Sequence, residues 1–325
     1  MKKLLVACFA VVASIGAVAA QTYPFLAYPT RAITLVVPFP PGGSTDVIAR
    51  IMAERMRATL GQPIVIENVG AAQGSVGVGR VARAAPDGYT IDIGQWDTHV
   101  VNGAIYPLQY DLVRDFEPIG LVSRNPLMII GRKTLPAEDL KGLIAWLKAN
   151  PEKATQGNPT AGGHVAGAYF QKETGTHFTF VPYRGAGPAM QDLVSGQIDL
   201  LIVQPAVALP QVQSGAIKAF AATGKARLAV APDIPTAAEG GLPSLEIMGW
   251  YGLFAPKGTP KEIIAKLSGA VTEALADPGV RRRLADLGQE IPDRAEQRPE
   301  ALGALQKAEI EKWWPFIKTV NIKGE

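Results

Sequence analysis

The sequence predicts an α/β protein with mainly parallel sheets. Short apolar, β-branched runs alternate with segments whose apolar residues recur every three or four positions, the pattern of strands alternating with helices. Glycine- and proline-rich segments follow the strands and precede the helices. At 325 residues the chain exceeds one ordinary core, and 47% hydrophobic content is enough to fill two.

Ile33 to Val37 reads as a buried strand, broken by the prolines and glycines of Pro38 to Gly43. Ser44, Thr45 and Asp46 offer caps to a helix whose face carries Ile48, Met52, Met56 and Leu60, and Gly61 and Pro63 end it. The unit repeats with a strand at Ile64 to Ile66, a Gly-rich loop from Asn68 to Ser75 and a helix from Val76 to Ala85. Tyr89 to Ile93 is a third strand, Gly94 to Asp97 its loop and Thr98 to Ile105 its helix.

Leu127 to Ile130 opens a second series. It continues through a helix lined by Leu140, Leu143, Ile144 and Leu147, then strands near Thr155 and over Phe178 to Val181, Ile198 to Val203 and Ile217 to Ala222. The last third is more helical. Thr259, Pro260 and Glu262 read as a capping box with proline at the first helical position, and Trp313 and Trp314 fasten the final helix.

Residues 1–20 stand apart. Lys2 and Lys3 precede an apolar run from Leu4 to Val18 and the small residues Ala19 and Ala20, the form of a secretory signal cut near Ala19 or Ala20. Removing it leaves 30 basic against 29 acidic residues, a net charge of +1 and no footprint for nucleic acid. Cys8, the one cysteine, leaves with it, and with it any disulfide, thiol nucleophile or cysteine metal site. The expectation is an exported periplasmic protein with no cofactor and no metal.

Ligands of open α/β sheets sit beyond the carboxyl ends of the strands, where helix amino ends present free N–H groups. Glycines there let the backbone approach closely, so a carboxylate or phosphate can be held without arginine. "PFPPGGSTD" has that form, although one such turn can equally be an empty strand-to-helix connection. "GAAQGSVGVG" lacks the order of a dinucleotide loop, and no Walker sequence or Gly-x-Ser-x-Gly elbow occurs. His99, His164 and His177 have no metal-type partner at i+3 or i+4, and His164 reads as structural rather than as a base.

These segments together resemble the receptors of tripartite tricarboxylate transporters, the Bordetella uptake gene (Bug) family. The resemblance rests on "VVPFPPGGSTDVIAR", "APDGYT", "DFEPIGLV", "VPYRGAGPAMQDLVSGQID", "IPTAAEGGLP" and "WYGLFAPKGTP", which follow one another in family order across nearly all of the mature chain. It implies a two-lobe periplasmic-binding-protein (Venus flytrap) fold closing on a small carboxylate. Residues 24–122 would form lobe one, 123–225 lobe two, and 226–325 the return to lobe one with the C-terminal helices. The first ligand loop would comprise Phe39, Pro41, Gly42, Gly43, Ser44, Thr45 and Asp46, with Asp46 ordering the loop or a water. Further contacts would come from Gly74 and Ser75, from Gln95, Trp96, Asp97 and Thr98, from Thr160, Gly162, Gly163 and His164, and from Tyr183, Arg184, Gly185 and Gln204.

Three loops depart from the family pattern. Gly70 to Gly77 is one residue longer, Gly157 to His164 is shorter, and "GQWDTH" stands where small hydroxyl residues are usual. Trp96 can supply a flat apolar wall and Asp97 can accept a hydrogen bond from an amine or amide, favouring an aromatic or nitrogen-bearing acid. Alternatively Trp96 packs into the lobe and Asp97 caps the helix at Thr98. Arg184 can pair with a second carboxylate or serve as a rim charge. The expected function is a monomeric solute receptor that delivers an organic acid to a membrane permease of the tripartite type. A ligand-sensing partner of a signalling system and an exported hydrolase are the alternatives.

Overall fold

The computed structural model describes residues 28–320 and 322; the signal segment lies outside the described residues. Two five-stranded sheets form the frame. The first comprises β1 (Ile33–Val37), β2 (Ile64–Asn68), β3 (Thr90–Gln95), β4 (Phe116–Pro126) and β10 (Met248–Pro256), in the order β2-β1-β3-β10-β4. The second comprises β5 (Met128–Arg132), β6 (Thr155–Asn158), β7 (Thr179–Pro182), β8 (Leu200–Val203) and β9 (Ile217–Ala222), in the order β7-β6-β8-β5-β9. β10 runs antiparallel to both its neighbours, and so does β5. Each sheet is therefore mixed, with one reversed strand.

Helices follow the strands of each sheet. In the first lobe these are α1 (Ser44–Leu60), α2 (Ser75–Ala82) and α3 (Asn102–Ile105), the last preceded by one wide turn over Asp97–Val101. In the second they are α4 (Leu140–Ala149), α5 (Ala161–Thr174), α6 (Ala186–Ser195) and α7 (Pro205–Gln213). The helices α8 (Lys261–Ala276), α9 (Pro278–Asp286) and α10 (Pro299–Thr319) return to the first lobe. Ile263, Leu267 and Val271 of α8 share a buried cluster with Ile48, Ile51 and Met52 of α1. The spacing in "TPKEIIAKL" places the helix correctly but not its cap. The Thr259 hydroxyl donates to Pro256 O (2.8 Å), and the helix starts after Pro260 without a side-chain cap.

The lobes are joined where β4 passes into β5 through Leu127, and where β9 leads by way of Ile247 into β10. Thr223 ties these passages together. It exchanges hydrogen bonds with Leu127, whose N–H donates to Thr223 Oγ1 (2.8 Å), and its hydroxyl also lies 2.6 Å from Ile247 O. Thr223 is buried, so the crossing segments are fastened at one polar point within an apolar surround.

Candidate functional site

The loop after β1 opens onto the amino end of α1, a helix whose first residue follows Gly43 with no side-chain cap. Its first-turn N–H groups have no intrahelical acceptors and no side-chain cap, and the one acid of that turn is Asp46. Ser44, Thr45 and Asp46 are thus helical residues rather than caps. Asp46 is buried and turned back on the loop. It accepts from Gly42 N (2.9 Å), from Arg50 Nε (2.9 Å) and from Asn68 Nδ2 (3.0 Å), and Asn68 also donates to Phe39 O (3.0 Å). Burial alone would raise the Asp46 carboxyl; the bonds from Arg50, Gly42 and Asn68 outweigh it and hold the group below the usual carboxylate range.

A lowered folded value means that Asp46 contributes stability fully above the unfolded carboxylate range and loses it as pH falls through the folded value. Asp46→Asn is therefore expected to flatten the acid limb of the melting curve between about pH 5 and about pH 3, as read by scanning calorimetry. An unchanged acid limb would show that the Asp46 contacts add nothing to folding.

The second loop is built for close packing. A Cβ on Gly70 would meet Pro40 Cδ at 2.9 Å, and one on Gly74 would meet Pro38 O at 2.9 Å and Thr98 Cγ2 at 2.8 Å. These glycines let the first and second loops lie against each other. Ser75 spends its hydroxyl on Ala72 O (2.7 Å) and is not brought to the cleft.

In the third loop Gln95, Trp96, Asp97 and Thr98 are all buried. Thr98 is fully enclosed, its hydroxyl bonded within the turn to Gln95 N (3.1 Å) and Gln95 O (3.2 Å), so it is removed from any ligand surface. Trp96 packs edge-on against Trp313 of α10 at 5.3 Å. Asp97 does not cap its own turn, which has no side-chain cap. It reaches into the other lobe, where its Oδ1 accepts from Gly162 N at 2.7 Å. Burial pushes its carboxyl above the usual range, against smaller opposing effects from Thr160 and Gly162.

Behind this loop, Asp92, His99 and Thr98 line up, with His99 Nε2 3.6 Å from Asp92 and Nδ1 3.0 Å from Thr98 Oγ1. The order imitates a hydrolytic triad. All three side chains are fully buried and His99 is stacked on Phe254 at 4.1 Å. Burial drives its imidazole down to about 3. A group sealed in the core and kept neutral does not serve substrate.

Lobe two supplies Thr160, which caps α5 by accepting from Gly163 N (3.2 Å), and His164, which is packed against Phe180 at 4.3 Å and held down to about 4 by burial. Gln204 bridges the lobes. Its Nε2 donates to Gln95 Oε1 (3.2 Å), and its Oε1 accepts from the Tyr251 hydroxyl (2.6 Å). Thr45 donates to the same Gln95 oxygen at 3.4 Å. Tyr251, directly opposite Gln95 across β10 and β3, is the residue that sequence reasoning missed. The trace it leaves is one phenol in an otherwise apolar strand.

Several spaces lie between the lobes, among them one of about 150 Å³ lined by Gln73, Tyr106, Thr160 and His164. An outer cleft of about 730 Å³ is lined by Phe39, Pro40, Gly74, Tyr183, Arg184 and Gly185, among others. Tyr183 is anchored by its hydroxyl to Asp192 (2.6 Å), while Arg184 is exposed and forms no salt bridge among the described residues. Deeper in, a cavity of about 40 Å³ is lined by Trp96, Asp97, Thr160, Gly162, Gln204 and Trp250. Pro41 and Gly42 stand outside on the exposed rim. Among the described residues no cluster of His, Cys, Asp and Glu could hold a metal ion, and no helix is long and apolar enough to cross a membrane.

Two mixed α/β lobes, joined by two crossing strands and enclosing a cleft edged by helix amino ends, define a periplasmic-binding-protein fold. The family model described as "Tripartite tricarboxylate transporter family receptor" matches residues 48–322, and the chain belongs to that family, whose members are binding receptors and not enzymes. A protein encoded in the TAR-I ttuE-ttuC' intergenic region of Agrobacterium vitis is 40% identical over 92% of this chain and 86% of its own. Among solved structures, MatC from Rhodopseudomonas palustris with bound malate is 38% identical over 89% of this chain and 100% of its own, with a TM-score of 0.84. The periplasmic binding protein BugD is 38% identical over 92% of this chain and 100% of its own, also at 0.84.

Proposed function

We propose that this protein is an exported, periplasmic receptor that encloses a small organic acid between its lobes and delivers it to a membrane permease of the tripartite tricarboxylate type. The observation that carries the reading is the uncapped amino end of α1, facing lobe two beside Ser44, Thr45, Gln95 and Tyr251. A carboxylate set there gains backbone N–H donors and the helix dipole together. Tyr251 is kept neutral by burial, so its hydroxyl remains a donor within this group. Phe39, Gly43, Ser44 and Thr45 hold the acid on the lobe-one side, while Tyr183, Arg184 and Gln204 close over it from lobe two. Malate in MatC is an acid of this kind.

The test is a thermal-shift screen of residues 21–325, as a single chain, against aliphatic, aromatic and nitrogen-bearing carboxylic acids. At a hundredfold excess over Kd, a true ligand stabilises the native state by about 2.7 kcal/mol, a rise of several degrees. Ser44→Ala with Thr45→Val, which removes the hydroxyls and leaves the backbone donors, should reduce the rise without lowering the melting temperature of the protein alone by more than a few degrees. Silence from every carboxylate would sink the reading.

A further inference from the structure

We propose that Asp97 sets the ligand class: the cleft takes an acid with one carboxylate, whose other end is uncharged or cationic. This rests on the reading of the cleft as a carboxylate site. The two lobes present helix amino ends of opposite status. That of α1 carries no side-chain cap. That of α5, a helix of 14 residues, is already filled. Gly162 N donates to Asp97 Oδ1 at 2.7 Å, Gly163 N donates to Thr160 Oγ1 at 3.2 Å, and His164 N donates to Thr160 O at 3.2 Å. The protein supplies, from its own first lobe, the anion that this helix would otherwise offer to take from a ligand.

Space reinforces the point. A Cβ on Gly162 would stand 2.6 Å from Asp97 Oδ1, so the Gly162 backbone and the Asp97 carboxyl are in close contact. No second carboxylate fits between them. The adjoining cavity of about 40 Å³ is bounded by Asp97, Gln204 and the indoles of Trp96 and Trp250. It suits a compact amide, ammonium or apolar tip. A ligand carboxylate there would lie against Asp97 with no cationic side chain among the lining residues. Whether Asp97 is ionised or protonated, it occupies the position; ionisation adds repulsion to exclusion.

The experiment is calorimetric titration of the mature protein with succinate, glutarate and adipate, their mono-amides, and the ω-amino acids of matching length. Wild type is expected to prefer the best amide or amino acid over its diacid by about tenfold or more. Asp97→Ser, which vacates the α5 amino end, should shift that ratio towards the diacid by about tenfold. Asp97→Asn, nearly isosteric and still able to accept from Gly162, should shift it less; it keeps the test decisive should the serine variant fold poorly. A diacid bound by wild type at least as tightly as its amide, or a ratio unmoved in both variants, overturns the proposal while leaving the carboxylate reading intact. If none of these acids nor any other carboxylate binds, the reading itself has failed and the proposal with it.

Discussion

Trp96→Ala is expected to cost about 3–5 kcal/mol of stability, the range for removing a large aromatic from a packed core, and to lower the melting temperature by roughly 6–10 °C. Trp96 is 1% exposed and meets Trp313 edge-on at 5.3 Å. Trp313 in turn meets Tyr169 of α5 at 5.3 Å and Phe316 of α10 at 6.3 Å. The indole therefore sits where the third loop, the last helix and the second lobe come together. Removing it leaves Trp313 with a void on one side, and neither a helix nor a strand end can collapse into that space. Trp96→Phe should recover most of the loss. A double-mutant cycle with Trp313→Ala should return a coupling of about 0.5–1.5 kcal/mol, as for other aromatic pairs. The rival view makes Trp96 a ligand wall that contributes little to the fold. A melting temperature within a degree or two of wild type, with affinity lost, would establish that view instead.

How much of this was legible in the sequence follows from the range of the interactions involved. β1 spans Ile33–Val37 and β9 spans Ile217–Ala222, the bounds that their apolar runs predict. Local signals sufficed there: β-branched residues flanked by proline, glycine or a polar break. The end of α1 at Gly61 was equally local, since Gly61 takes the left-handed conformation (φ 70°) that closes a helix. By contrast, "DFEPIGLV" and "WYGLFAP" carry no strand in the sequence reading, yet they form the paired edge of the first sheet. β4 and β10 lie antiparallel over their whole length, from Met248 opposite Pro126 to Pro256 opposite Phe116. Nothing local announces a partner more than a hundred residues away. The site divides along the same line. The turn of "PFPPGGSTD" and the ordering role of Asp46 were readable because every element except Asn68 lies within a few residues. The acceptor on Asp97, the bridge through Gln204 and the place of Tyr251 were not, because each depends on how one lobe meets the other. Asp97 does receive a helix amino end, but the helix begins at Ala161 rather than at Thr98.

Gly162→Val is expected to lower ligand affinity by about a hundredfold, near 2.7 kcal/mol, while leaving each lobe folded. The lobes meet through few polar bonds, and the one between Asp97 Oδ1 and Gly162 N, at 2.7 Å, is the shortest that the third loop makes across the cleft. A Cβ at Gly162 would stand 2.6 Å from that oxygen and 2.8 Å from the carboxyl carbon. Neither side can yield cheaply. Gly162 belongs to a helix start fixed by the Thr160 cap, and Asp97 belongs to a buried turn fixed by Thr98 and Gln95. The strain is relieved by separating the lobes, at the cost of the contacts that Tyr169 of α5 makes with Trp313 and Phe316. A receptor of this architecture gains its affinity by enclosing the ligand, so a protein held ajar keeps the lobe-one contacts and forfeits those proposed for Tyr183, Arg184 and Gln204. Circular dichroism should stay near wild type, and the melting temperature of the variant alone should fall by no more than those cross-lobe aromatic contacts contribute. Small-angle scattering with saturating ligand should give a larger radius of gyration than wild type under the same conditions. Should the valine variant bind and contract as wild type does, Gly162 and Asp97 must part readily, and the closed lobes would have to be held by Gln204 and Tyr251 instead.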